Sequence, residues 1–204
     1  CNNTFAQIAL NLGDQKLKKT AENFGFNDNF LFRDVVVENS AYPEKNRTER
    51  EIAWTGVGQS ELTATPLHMC MVAAAVANDG VMMEPFTVQR TVANNGTVRS
   101  EGKSRIYRTV MGPETAKVLQ EYMRLVVQSG TGTAANIPGI KVCGKTGSAE
   151  VDTQENTNAW FVGYLAEESH PYAIAIVVED AGGGGSVAAP IARQVWQWML
   201  NNGY

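Results

Sequence analysis

Apolar residues recur at the three-to-four-residue spacing of a helix in five segments of the chain. The predicted helices cover residues 4–12, 15–24, 65–80, 113–127 and 188–200. The polar residues between these positions fall on the opposite side of each helix, except in the third segment, where nearly every residue is apolar. That helix is therefore predicted to be buried.

Capping residues mark the ends of the third helix. Thr65 offers a hydroxyl for the N-cap, Pro66 suits the first helical position, and Asn78-Asp79-Gly80 ends the helix. The glycine-containing segment at 130–133 is interpreted as the end of the fourth helix. The glycine run at 182–185 is interpreted as a flexible connector to the last helix.

Three segments in the last third of the chain are strand candidates, at residues 140–148, 159–165 and 172–179. The connections between them are too short for helical crossovers, so the strands are expected to pair antiparallel. A hairpin is predicted around Asn94-Asn95-Gly96, and the polar stretch at 27–50 is predicted to be loop. The predicted class is α+β, an antiparallel sheet flanked by helices.

Composition and charge describe an ordinary globular chain. With 204 residues, of which 44% are hydrophobic and 19% charged, the chain can bury one core. A net charge of −4, without a cluster of Lys and Arg, argues against a nucleic-acid partner. The longest apolar run, at 69–77, is too short to cross a bilayer, so any membrane anchor is expected upstream of residue 1.

The metal-binding residue types are sparse and scattered. Cys1, Cys70 and Cys143 have neither the spacing of a metal site nor that of a disulfide framework. His68 and His170 lie far apart in sequence, and His68 is interpreted as a structural residue of the buried helix. Neither a metal nor any other cofactor is predicted.

Residues 139–146, GIKVCGKT, match the phosphate-binding loop pattern G-x-x-x-x-G-K-[ST]. Such a loop follows a strand, and a helix begins at its Lys-Thr. Here strand-forming residues occupy the loop itself, and the sequence after Thr146 lacks helical periodicity. A nucleotide site is therefore not expected.

The same residues make chemical sense as a strand. Thr146 and Ser148 would place their hydroxyls on one face, about 6.6 Å apart at a rise of about 3.3 Å per residue, a spacing that can bracket a carboxylate. Gly147 between them would let another backbone approach, the Ser148 N–H could donate to an oxyanion, and Lys145 brings a cation. From spacing alone, an exposed edge strand that ends in small residues fits equally well.

Several short motifs occur together in one order and resemble the transpeptidase domain of the penicillin-binding proteins, most closely the monofunctional class B type. They are Gly56-x-Gly58-Gln59, Thr65-Pro66-Leu67-x-Met69, Ala77-Asn78-Asp79-Gly80, Gly130-Thr131-Gly132, Lys145-Thr146-Gly147-Ser148-Ala149-Glu150, Trp160-Phe161-Val162-Gly163-Tyr164 and Ala188-Ala189-Pro190.

The resemblance implies roles for five residues. The family uses the motifs S-x-x-K, S-x-N and K-T-G, and the last is Lys145-Thr146-Gly147. Asn2 resembles the asparagine of S-x-N, and we expect no candidate for S-x-x-K in this chain. By resemblance, Lys145, Asn2 and Ser148 are catalytic. Thr146, Gly147 and Ser148 bind the substrate, whose terminal carboxylate the two hydroxyls hold.

The resemblance also implies an incomplete domain. The expected fold is the α/β sandwich of the serine β-lactamases and D,D-transpeptidases, with residues 1–204 forming the C-terminal portion of one domain. The N-terminal strands and the nucleophile helix are expected to be absent. The strand at 172–179 would then be an exposed edge, so the missing part is expected from another chain, or the isolated chain is expected to aggregate.

The implied activity is peptidoglycan D,D-transpeptidation, the cross-linking of D-Ala-D-Ala stem peptides, with β-lactams as further ligands. The parent enzyme is expected on the extracytoplasmic face of the bacterial cell membrane, and this chain alone is expected to be inactive. A non-catalytic penicillin sensor and a relative of the serine β-lactamases are the alternatives. The Gly-Gln and Thr-Pro-Leu-x-Met motifs favour the transpeptidase.

Overall fold

A three-stranded antiparallel sheet lies at the centre of the C-terminal half of the chain. The computed structural model describes residues 1–44, 47–151 and 155–204. The strands are β5 (Val142–Ala149), β6 (Asn158–Leu165) and β7 (Ala173–Val178), in the order β5-β6-β7. All three strands and their antiparallel pairing confirm the prediction from sequence.

Helices cover both faces of this sheet. One face packs on α6 (Ala188–Asn201), where Trp196 meets Phe161 edge to face, with ring centroids 6.1 Å apart. Val142 of β5 lies in the same core as Trp196 and Phe161. Because side chains alternate along a strand, the following residue, Cys143, faces the other side of the sheet, toward α4 (Pro66–Ala77) and α5 (Pro113–Ser129). The α/β sandwich architecture expected from the sequence is confirmed.

The helix α4 has the caps that the sequence predicts. The Thr65 hydroxyl accepts a hydrogen bond from the His68 N–H, and Pro66 is the first helical residue. His68 is completely buried: one ring nitrogen lies 2.8 Å from the Phe24 carbonyl oxygen and the other lies 2.7 Å from the Ser40 hydroxyl. Since a carbonyl only accepts, Nε2 carries the proton and Nδ1 accepts from Ser40, so the neutral ring is fully satisfied.

Three helices make up most of the N-terminal region. They are α1 (Asn2–Leu12), α2 (Asp14–Asn23) and α3 (Glu49–Gly56), and the last was not predicted. A capping box starts α3, since Thr48 accepts from the Glu51 N–H while the Glu51 carboxylate accepts from the Thr48 N–H. Thr48-x-x-Glu51 was the sequence signal for this helix.

Four short strands lie between α4 and α5. They are β1 (Val81–Met83), β2 (Arg90–Val92), β3 (Val98–Glu101) and β4 (Ile106–Thr109). The predicted hairpin around residues 94–96 is confirmed as the pair β2–β3. A second antiparallel pair joins β1 to β4, across the whole hairpin, and local sequence signals do not reveal such a pairing.

The strand β7 lies at one edge of the three-stranded sheet within the described residues, and its six residues are all partly exposed. That position agrees with the expectation of an edge strand at 172–179; whether the isolated chain aggregates stays a prediction. Among the described helices, none has the length and apolar character needed to span a bilayer.

Candidate active site

The stretch from Lys145 to Ser148 is extended and paired with β6. Lys145 is opposite Val162, and Ser148 is opposite Ala159. No helix begins at Lys145, and the strand runs on to Ala149. The phosphate-loop reading of this stretch is therefore excluded, because that motif requires a helix at its Lys-Thr.

The outer edge of β5, away from β6, presents backbone groups of Thr146 and Ser148. The Lys145 ammonium donates to the Thr146 carbonyl oxygen at 2.6 Å, and the Gln59 side-chain amide donates to the Ser148 carbonyl oxygen at 3.3 Å. Both carbonyls therefore point away from β6. In an extended chain the N–H and C=O of one residue point the same way, so the Ser148 N–H also faces this edge.

Two neighbouring loops contact the hydroxyls of Thr146 and Ser148. The Thr146 hydroxyl lies 2.6 Å from the hydroxyl of Thr131, in the turn after α5. The Ser148 hydroxyl oxygen accepts from the Gly184 N–H at 3.2 Å. Because Ser148 accepts this bond, its own hydroxyl hydrogen remains available to donate to a ligand such as a carboxylate.

The glycine run at 182–185 packs directly against β5. A side chain at Gly184 would overlap the carbonyl oxygens of Gly147 and Trp160, and one at Gly185 would overlap the Thr131 carbonyl oxygen. The interpretation of this run as a flexible connector is therefore wrong, since Gly184 and Gly185 are required for close packing. The glycine run was the sequence signal for this close packing, but it was interpreted as a sign of flexibility.

Lys145 combines an exposed side chain with a partly desolvated ammonium group. Desolvation lowers the pKa of Lys145 below its ordinary value, because removing water penalises the charged form. The ammonium group is placed to attract a carboxylate that binds along this edge.

Asn2 lies on α1 and makes no hydrogen bond to β5 within the described residues. It is exposed in the first turn of α1, and Cys1 occupies the N-cap position. The helix that carries Asn2 packs on α3, where Gly56 fits against Ala9 and the Phe5 carbonyl oxygen.

The expectation that the sequence contains no S-x-x-K pattern is wrong, because Ser100-Glu101-Gly102-Lys103 matches it. Ser100 lies on β3, with its hydroxyl 2.7 Å from that of Thr91, and Lys103 follows in the next loop. A helix brings residues i and i+3 to one face, whereas an extended chain separates them. This match therefore lacks the helical setting that would let the lysine activate the serine.

Metal-ligating side chains do not cluster in the described ranges. Across residues 1–44, 47–151 and 155–204, no group of three or more His, Cys, Asp or Glu side chains is arranged to hold a metal ion. The chemistry that this edge offers comes from hydroxyls, backbone N–H groups and one lysine.

Comparison with known families identifies the class of protein. The family model described as "Penicillin binding protein transpeptidase domain" matches residues 1–197, and the chain belongs to this family. A similar curated protein is the peptidoglycan D,D-transpeptidase PbpA of Mycolicibacterium smegmatis. It is 30% identical over 212 residues, which cover 100% of this chain and 43% of that protein.

Solved structures show the same relationship. Penicillin-binding protein A from M. tuberculosis, as an imipenem acyl-enzyme complex, superposes with a TM-score of 0.88 at 28% identity, over 98% of this chain and 45% of that one. The D,D-transpeptidase domain of the Eggerthella lenta peptidoglycan glycosyltransferase gives a TM-score of 0.86 at 32% identity, over 99% and 51%. The chain thus spans about half, or less, of the length of these relatives.

Proposed function

We propose that the outer edge of β5 binds the terminal carboxylate of D-Ala-D-Ala stem peptides in a peptidoglycan D,D-transpeptidase. The observation that carries this proposal is the array of donors along that edge: the hydroxyls of Thr146 and Ser148, the Ser148 N–H and the Lys145 ammonium. Gly147 has no side chain to obstruct an extended peptide that pairs with the edge.

In the proposed reaction, a serine hydroxyl attacks the penultimate D-Ala carbonyl of the stem peptide, and the terminal D-Ala leaves with the serine's proton. An amine of a second stem peptide then attacks the acyl-enzyme ester, which releases the serine and forms the cross-link. The Ser148 N–H supplies half of the oxyanion hole, because it stabilises the negative charge that develops on the attacked oxygen. Lys145 attracts the carboxylate, and Asn2 contacts the substrate amide.

The proposed ligands also include β-lactams. A β-lactam carries a carboxylate beside a strained amide, so the same donors would orient it for attack. A relative that is 28% identical over nearly the whole of this chain has been solved as an imipenem acyl-enzyme complex, which supports the extension to this site.

The acylated serine is proposed to lie outside residues 1–204, so that these residues form the C-terminal portion of one transpeptidase domain and are inactive alone. Support comes from the extended setting of Ser100-x-x-Lys103 and from relatives about twice as long. The remainder of the domain is proposed to complete the sheet along β7. Because peptidoglycan lies outside the cytoplasmic membrane, the parent enzyme is proposed to act on its outer face.

Two measurements on the chain test the proposal. Calorimetric titration with Nα,Nε-diacetyl-L-Lys-D-Ala-D-Ala should show binding that is lost with the C-terminal amide of the same peptide and with the double variant Thr146→Val, Ser148→Ala. Equal binding of the acid and the amide would contradict the carboxylate site.

The second measurement is incubation with a fluorescent penicillin followed by denaturing electrophoresis. No covalent label is expected on the wild-type chain. Labelling that disappears in Ser100→Ala would show that the nucleophile lies within these residues.

A further inference from the structure

The short segment from Gly56 to Ser60 contacts both the helix that carries Asn2 and the strand that carries Ser148. On one side, Gly56 lies against Ala9 and the Phe5 carbonyl oxygen of α1, a contact that leaves no room for a side chain. On the other side, the Gln59 amide reaches the Ser148 carbonyl oxygen, 89 residues away in sequence. The segment therefore bridges the two elements that hold the proposed catalytic residues.

Gln59 lies in a tight turn with an unusual backbone conformation. Gly58 and Ser60 flank it with φ values of 83° and 71°, both in the left-handed region. For a non-glycine residue such as Ser60 this conformation is costly, and it is found where the surrounding structure enforces it. The Gln59 N–H donates to the Trp54 carbonyl oxygen at 3.0 Å, which closes the turn onto the end of α3.

The Ser148 carbonyl that Gln59 engages belongs to the same residue as the proposed oxyanion donor. Rotation of the peptide planes on either side of Ser148 would move both its N–H and its C=O. A donor on a hydrogen-bonded turn opposes such rotation, because turning the carbonyl away would leave it without its partner.

We propose that Gln59 is a positioning residue, which fixes the orientation of the Ser148 backbone and, through Gly56, the spacing between β5 and α1. Gln59 acts through Ser148 and takes no part in bond making itself. This role rests on the proposed function, since it matters only if the edge of β5 receives a peptide. The segment belongs to the motif Gly56-x-Gly58-Gln59, none of whose residues takes part in the proposed reaction itself.

The sequence allows a direct measurement of this hydrogen bond. Only two Ser-Ala peptide bonds occur in the chain, Ser40-Ala41 and Ser148-Ala149. Labelling with ¹³C′-serine and ¹⁵N-alanine therefore gives two cross-peaks in a spectrum that correlates an amide with the preceding carbonyl. Ser40 is buried, and its carbonyl accepts from the Asn27 N–H at 2.9 Å, so its cross-peak serves as an internal reference.

The test compares wild type with Gln59→Met, which keeps the length of the side chain but has no donor. The carbonyl carbon of Ser148 should shift upfield while that of Ser40 stays in place. Affinity for diacetyl-L-Lys-D-Ala-D-Ala should fall about fivefold, the factor that one ordinary hydrogen bond carries. Gln194→Met, an exposed change on α6, is the matched control and should alter neither quantity.

Each other outcome overturns the inference in a recognisable way. An unchanged Ser148 carbonyl shift or an unchanged affinity in Gln59→Met would remove the positioning role while leaving the proposed function intact. Tighter binding would mean that Gln59 competes with the peptide for this carbonyl. A wild-type chain that does not bind would contradict the proposed function, and the positioning role with it. Should Gln59→Met not fold, Gln59→Asn, one methylene too short, carries the same expectations.

Discussion

The two elements that carry the proposed catalytic residues are held in very different ways. β5 pairs with β6 along its full length, Arg124 of α5 donates to the Val142 carbonyl at its start, and two loops contact its hydroxyls. α1 packs on α3, most closely at Gly56, and on α2, and it leaves Phe5, Ile8 and Leu12 exposed by 57%, 45% and 44%. The strand is thus held by a neighbouring strand, a helix and two loops, whereas α1 is held mainly by α3 and α2.

This difference indicates how the proposed site divides its work. Groups that bind a carboxylate and an oxyanion gain most from being fixed before the ligand arrives, because no ordering is then needed on binding. Those groups lie on β5. Asn2, proposed to contact the substrate amide, lies on an element whose position is set from outside, through α3 and the turn at Gln59. Substitutions should therefore affect the two elements unequally.

Gly184→Ala should have the largest effect, because the new methyl group would overlap backbone oxygens of both β5 and β6. Neither oxygen can move without distorting the sheet. We expect a loss of about 3 kcal/mol in the free energy of unfolding, measured with urea, together with complete loss of peptide binding.

Gly183→Ala is the control for that substitution. The nearest atom to a side chain there is the Ser186 hydroxyl, which can rotate away. It should leave stability and binding close to wild type. If Gly184→Ala behaved like this control, the glycine run would be the flexible connector that the sequence suggested.

Gly56→Ala should have the next largest effect and should act on α1 alone. The methyl group would collide with Ala9, so α1 must shift, at a cost of about 1–2 kcal/mol. Because β5 is also held by β6, by Arg124 and by the loops at Thr131 and Gly184, the affinity for the D-Ala-D-Ala peptide should stay within about twofold. Hydrogen exchange followed by mass spectrometry should show faster exchange in α1 with β5 unchanged, and equal loosening of both would contradict the comparison.

Acid should destabilise the chain through His68, which joins α4 to Phe24 and Ser40 of the N-terminal region. Burial lowers the pKa of His68 below its ordinary value of 6.5, so the unfolded state binds the proton more readily than the folded state. The contribution of the neutral ring is fully present above about pH 6.5 and decreases as the pH falls below that value. Urea unfolding at a series of pH values measures it, and His68→Gln should flatten the profile. A stability that rises on acidification from pH 7 would contradict this assignment.

Thr131→Val should have the smallest effect and should alter affinity alone. Valine keeps the shape of threonine but removes the hydroxyl that contacts Thr146, so the peptide affinity should fall about threefold. Thr131 is exposed, and the melting temperature should hardly change. A change in melting temperature without a change in affinity would make this contact structural.

The sequence predicted the elements whose signals are local. The helix α4 carries its own cap and proline. The strands β5, β6 and β7 follow one another with short connections, so their pairing follows from the length of the loops. The pairing of β1 with β4 spans a whole hairpin, and only tertiary contacts decide it. The helix α3 is short, and its capping box was the one signal available.

The proposed site divides in the same way. Spacing within one strand brought Thr146 and Ser148 together, because two residues on a strand share a face whatever surrounds them. The contacts of Thr131, Gly184 and Gln59 with that strand join distant segments, and no spacing rule predicts them. Ser100-x-x-Lys103 shows that a matching sequence pattern is not sufficient. Ser100 lies on a strand and not on a helix, so the serine and lysine side chains are held apart.

A crystal structure of the chain soaked with diacetyl-L-Lys-D-Ala-D-Ala would test the central claim most directly. We expect the terminal carboxylate within about 2.6–3.0 Å of the Thr146 and Ser148 hydroxyl oxygens, with the peptide extended along the outer edge of β5. A peptide bound elsewhere on the chain, or bound with its carboxylate pointing away from these hydroxyls, would contradict the account.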